Sequence, residues 1–172
     1  PSEFISEITK TASELLKKDI TIEKKAQELI QIAEKNVDIE GIGLYSLGKY
    51  RKIINKEQLN RYNSLFRDYF LKSFSSRLSQ YSDPKIIVMS QNVVNEKYTI
   101  VSSVLVETSE RPEIKIDWRV YTENPENPLI RDLIIEGLSL ARTQKEEFNS
   151  VIQSADGDIN ALLANLESFI LK

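Results

Sequence analysis

The chain contains neither cysteine nor histidine. Without thiols there are no disulfides, thiolate nucleophiles or zinc–thiolate sites, although this absence selects no compartment. Without imidazole, the commonest general base near neutral pH and the commonest transition-metal ligand are missing, which excludes much enzymology. Gly and Pro number only five each in 172 residues, unlike a fibrous or low-complexity chain. A basic excess is lacking too. The 23 Lys and Arg stand against 26 Asp and Glu, a net charge of −3, so nucleic acid is not an expected partner. No apolar run reaches the roughly 18 residues of a membrane span. The start carries no basic, apolar and small-residue succession of the kind a signal peptide has. Pro1 standing where Met is usual fits removal of an upstream segment, and a secretory signal is one such segment.

What is present is globular: 41% apolar and 28% charged residues, in a length that matches one domain with one core. The expectation is a single domain over 1–172, with helices at about 2–81, a sheet at about 85–136 and helices at about 140–171. Phe4, Ile5, Ile8, Ala12, Leu15 and Leu16 recur at helical steps, and Ala26, Leu29, Ile30 and Ala33 repeat the pattern after Thr21. Asp38 is placed to cap a third segment, Ile39 to Leu47, in which Gly41 and Gly43 allow close approach of another backbone. Gly48 is its expected stop. Asn55 and Gln58 have the spacing of a capping box, opening a long helix to about Tyr81 that carries Leu59, Tyr62, Phe66, Tyr69, Phe70, Phe74 and Leu78.

After Asp83-Pro84 the apolar period falls to two. Strands are predicted over Lys85 to Gln91, Tyr98 to Thr108, Ile114 to Tyr121 and Leu129 to Glu136. The connections are short, which favours antiparallel pairing. Gly137 ends the predicted sheet, Thr143 with Glu146 has capping-box spacing, and Asp158 precedes a last amphipathic helix. The fold class is therefore α+β: a curved four-stranded antiparallel sheet packed against about six to seven helices, an arrangement able to enclose an apolar cavity.

Reactive constellations are few. Gly137-Leu138-Ser139 lacks the second glycine of a nucleophile elbow, since Ala141 stands there. Gly41, Gly43 and Gly48 lie in a helical stretch, where no dinucleotide loop forms. Asp156 and Asp158 around Gly157 have too few companions for a calcium loop; a turn and a cap explain them. The pairs Lys17-Lys18 and Lys24-Lys25 fit a solvated helix face. Asp117 alternates with inward apolar neighbours and so points outward.

Several stretches taken in order resemble the MlaC family, the toluene-tolerance family of periplasmic phospholipid-binding proteins. Asp132-Leu-Ile-Ile-Glu136-Gly137-Leu-Ser139, followed by Lys145-Glu-Glu-Phe148, is similar to its D-x-x-x-E-G-x-S signature and downstream E-F pair. Leu47-Gly48-Lys49-Tyr50, with Asp38 before it, resembles its L-G-x-Y element. The run from Lys56 through Phe66, Phe70 and Tyr81 resembles its aromatic helix, and Pro1 to Ile5 its mature N-terminus. Arg51 departs from the second aromatic usual after the Tyr, and Asn124 to Pro128 with Leu129 replaces a common Gly and Trp.

The resemblance implies a periplasmic, monomeric and non-enzymatic phospholipid carrier of a Gram-negative envelope, serving outer-membrane lipid asymmetry. Its implied partners are an outer-membrane lipoprotein complex and an inner-membrane ABC transporter with an MCE-domain subunit, and its only ligand is phospholipid, with no cofactor or metal. For this reading the apolar periodicity selects as pocket walls Ile42, Leu47, Phe66, Phe70, Val104, Ile116, Trp118, Ile135, Val151 and Leu166. Two other readings stand beside it. One is an enzyme of the same conical architecture with Asp132 or Glu136 as base on a small apolar substrate. The other is an interaction module whose aromatic helix simply fills the core.

Overall fold

A computed structural model describes residues 1–80 and 84–172. The described chain forms two compact units, one of residues 1–38 and 74–140, the other of residues 39–73 and 141–172. Tyr81 and Asp83, where the long helix and the first turn were expected to meet, lie outside the described residues.

In the first unit, helices α1 (Ser2–Lys17) and α2 (Ile22–Asn36) precede a five-stranded sheet. Thr21 opens α2 by accepting a hydrogen bond from the Lys24 amide at 3.2 Å, the usual way a threonine oxygen satisfies a free helical N–H. The strands are β1 (Ile86–Val93), β2 (Tyr98–Leu105), β3 (Ile114–Tyr121), β4 (Leu129–Ile135) and β5 (Leu138–Ser139). They pair in chain order, each antiparallel to the next. The fifth strand is a difference from the four expected. Glu136 and Gly137 both take positive φ, 50° and 82°, the geometry of a tight hairpin turn that glycine favours at its second position. The turn sends Leu138 back beside Ile135 instead of ending the sheet.

Thr99, Val101, Ser103 and Leu105 on β2 and Ile116, Trp118 and Val120 on β3 are buried on one face. There they meet Ile5 of α1 and Ile130 of β4. The polar members are satisfied: Trp118 Nε1–H donates to Ser103 Oγ at 2.9 Å, and that hydroxyl donates to the Ile116 carbonyl at 2.8 Å, which removes the cost of burying them bare. A second cluster joins Leu15, Leu16 and Leu29 of the two helices, with Phe74 and Leu78 against it.

The second unit is helical. It holds α3 (Ile39–Leu47), a 3₁₀ turn (Gly48–Lys52), most of α4 (Lys56–Leu78), nearly all of α5 (Leu140–Ser154), and α6 (Ile159–Leu171). The capping box forms as read: the Gln58 amide donates to Asn55 Oδ1 at 2.8 Å and the Asn55 amide to Gln58 Oε1 at 3.2 Å. Asp158 caps α6 by accepting from the Asn160 amide at 3.0 Å. One expected cap is displaced. Helix α5 starts at Leu140, so Thr143 lies inside its first turn. The Asp38 carboxylate is 2.5 Å from Arg131 Nε of β4, beside a parallel bridge between Val37 and Ile130.

Candidate functional site

The apolar positions proposed as pocket walls divide between the two units. Ile42, Leu47, Phe66, Phe70, Val151 and Leu166 belong to the helical unit, and Val104, Ile116, Trp118 and Ile135 to the sheet unit.

Within the helical unit, aromatic spacing on α4 builds a ring cluster. Tyr62 stacks on Phe66 at 5.8 Å, Phe70 lies 6.1 Å from Phe66, and Phe148 of α5 stands edge-on to Phe66 at 6.0 Å. Tyr69 continues the cluster to Phe169 of α6 at 4.8 Å. These are ordinary separations for attractive ring pairs. Phe66 is buried, and its ring presses on Gly43 of α3: a Cβ added there would lie 2.7 Å from the ring. The close approach expected at Gly43 is thus made by a side chain, whereas a backbone had been expected. Tyr62 donates its hydroxyl to the Gly43 carbonyl at 2.7 Å, and burial pushes that hydroxyl's pKa far above the ordinary tyrosine value. Leu47 and Leu166 are buried outright and Ile42 nearly so, while Phe70 and Val151 are half-buried.

Gly48, at φ +57°, reverses the chain after Leu47, and Asn149 of α5 closes the turn. Its side-chain N–H groups reach the Leu47 and Ser46 carbonyls at 3.4 Å and the Lys145 carbonyl at 2.7 Å. A helix end leaves such carbonyls unpaired, so Asn149 fixes where α3 stops. Phe148 is an apolar position of the sequence pattern that was not proposed as a pocket wall, whereas Asn149, one helical turn after Lys145, carries no apolar signal.

Within the sheet unit, Ile116 and Trp118 lie in the cluster around Ile5, and Ile135, paired with Ile116, packs against it. Val104 does not join them. It pairs with Ile87 and Lys115, and strand alternation puts those residues on the opposite face. That face also carries Asp117, between Ser102 and Ile134. One Asp117 carboxylate oxygen is buried there without a hydrogen-bond partner. At the far end of this face, Arg119 lies over the Tyr98 ring at 4.2 Å and Arg131 over the Tyr121 ring at 4.6 Å, and Arg131 donates to the Tyr98 hydroxyl at 2.9 Å. A β-bulge supports this ladder. Both Arg131 and Asp132 fall opposite Arg119, because the register skips a residue between Arg119 and Val120. The signal available beforehand was the Tyr and Arg alternation on two strands, which has meaning only once the register is known.

Asp132 accepts from the Ser139 hydroxyl, and Glu136 accepts from the Lys115 amide at 2.6 Å. Both carboxylates therefore brace the β4–β5 turn. Among the described residues no group of three or more acidic side chains is placed to hold a metal ion.

A sequence model described as MlaC protein matches residues 5–168. The chain belongs to the MlaC family. The D-x-x-x-E-G-x-S stretch of this MlaC-family chain is the β4–β5 hairpin, with its Asp and Ser joined by a hydrogen bond and its Gly at positive φ. Its L-G-x-Y element is the α3 terminus, with Leu47 and Tyr50 buried on either side of the reversal. A solved structure of similar fold is the phospholipid-binding protein from Ralstonia solanacearum, in complex with a phospholipid. It superposes with a TM-score of 0.80 at 17% identity, over 99% of this chain and 96% of that one. No curated protein sequence matches significantly. No helix among the described residues is long and apolar enough to cross a membrane.

Proposed function

We propose that this MlaC-family chain is a soluble periplasmic phospholipid carrier, without catalytic activity, that folds as one domain and holds acyl chains in an apolar pocket. In this reading it passes lipid between an outer-membrane lipoprotein complex and an inner-membrane MCE-domain ABC transporter, and so serves outer-membrane lipid asymmetry. The observation that carries the reading is the fold shared with a phospholipid-bound protein over nearly the whole of both chains, in a chain of the same family type. The pocket walls are the apolar positions named from the sequence other than Val104, which lies on the opposite face of the sheet. The physics of such a task is undemanding in chemistry and demanding in shape. Each methylene moved from water into an apolar site contributes about 0.8 kcal/mol, so acyl chains need depth and dryness with few polar groups. The lack of histidine and cysteine is compatible with that task.

Carriage is tested by mixing donor vesicles containing a fluorescent phospholipid with acceptor vesicles. The expected result is transfer whose rate rises in proportion to added protein. A rate equal to that without protein would contradict carriage.

A further inference from the structure

Strand β1 is the edge of the sheet. The Val106 amide donates to the Lys85 carbonyl at 2.8 Å, and the Val94 amide to the Tyr98 carbonyl at 3.0 Å. Antiparallel alternation counted from these two bonds turns the backbone N–H and C=O of Ile86, Val88, Gln91 and Val93 away from β2. Edges of this kind are normally guarded by charge or proline, yet Ile86–Val93 contains neither. Its side chains include Met89, 65% exposed, and Val93, 66% exposed. A bulge at Met89, where the register shifts between Val88 and Ser90, opens a groove of about 400 Å³ between the strand and the first turns of α1. Val88, Met89 and Ser90 line one side of this groove, and Glu3 and Glu7 stand on the other. Among the described residues no cationic side chain pairs with Glu3 or Glu7. The Gln91 side chain accepts from the Ser2 amide and hydroxyl, at 3.0 and 2.8 Å, which ties the helix start to the strand and keeps the groove in place.

We propose that this edge and groove dock an extended segment of a partner protein, which adds a strand beside β1 and lays a Lys or Arg into the groove. Main-chain pairing supplies the affinity of strand addition and a side-chain pocket supplies its selectivity. A long basic side chain fits the groove because its methylenes cover Val88 and Met89 while its charge reaches the two glutamates. The same charges disfavour a second copy of this chain, since a two-fold pairing of β1 with itself would bring four unpaired carboxylates to one seam. They disfavour an anionic lipid surface for the same reason. The inference does not rest on lipid carriage.

A phage library of random dodecapeptides selected on the full chain tests it, followed by anisotropy titration of the enriched peptide and amide hydrogen exchange. The expected peptides alternate apolar residues around a Lys or Arg. Their binding weakens at least tenfold both for the Glu3→Lys/Glu7→Lys variant and for Val93→Pro, which removes one outward N–H without touching the β1–β2 ladder. Protection then appears at Val88, Gln91 and Val93. The inference is overturned by a library that yields no enriched sequence, by peptides indifferent to both variants, or by protection elsewhere. It is equally overturned by a concentration-dependent dimer, or by binding to phosphatidylglycerol vesicles, that Met89→Asp abolishes.

Discussion

The two compact units are held together by different kinds of contact. In the unit of residues 1–38 and 74–140, aliphatic side chains alternate along paired strands, and many partners share each contact around Ile5, Val101 and Val120. In the unit of residues 39–73 and 141–172, a few large rings interlock around Phe66, and one of them fills the space that a side chain at position 43 would need. Aliphatic contacts tolerate the loss of a methyl group because neighbours close part of the gap. Interlocked rings tolerate neither loss nor addition, since shape is what they share.

The sharpest break of this contrast is Phe66→Ala, which removes the ring at the centre of the helical cluster. It should cost about 3–5 kcal/mol, read by urea denaturation, with amide protection lost first around α3 and α5. Gly43→Ala comes next. Overpacking against the ring should cost about 1–3 kcal/mol, more than the roughly 1 kcal/mol of helix propensity that alanine adds, and Phe66→Leu in the same chain should restore part of it.

Tyr62→Phe leaves the Gly43 carbonyl without its donor and should cost about 1 kcal/mol. It also carries a pH signature. Burial raises the native pKa of this hydroxyl above its ordinary value of 10.0, so the unfolded chain gives up the proton first. The stabilisation is complete below that value and falls away as pH rises past it. Thermal unfolding followed from neutral pH upward should decline more shallowly in Tyr62→Phe than in the parent chain. A similarly small effect belongs to the sheet unit: Ile5→Val should cost about 0.5–1.5 kcal/mol. A cost equal to that of Phe66→Ala would erase the distinction between the units.

Legibility followed the range of the determining contact. Caps such as Asn55 with Gln58 and Asp158 were readable because both partners lie within three residues. The long aromatic stripe of α4 was readable because the helical period repeats through it. The pairing of Asp38 with Arg131 was not readable because the two residues lie far apart in sequence. Val104 was grouped with Trp118 because period two reveals two faces on each strand without saying which faces coincide; the pairing of Val104 with Lys115 decides that. The fifth strand was missed because Gly137 signals a turn equally well at the end of a sheet and inside a hairpin. The family motifs were visible as letters, while their physical meaning, a braced hairpin and a clasped helix end, came only with Ser139 and Asn149 in place.

Native mass spectrometry of the purified chain, followed by organic extraction and identification of what accompanies it, tests the carrier reading most directly. The account predicts a mass increment equal to phospholipid at near-stoichiometric occupancy, regained by delipidated protein exposed to vesicles. A chain that arrives bare and stays bare after that exposure would contradict it.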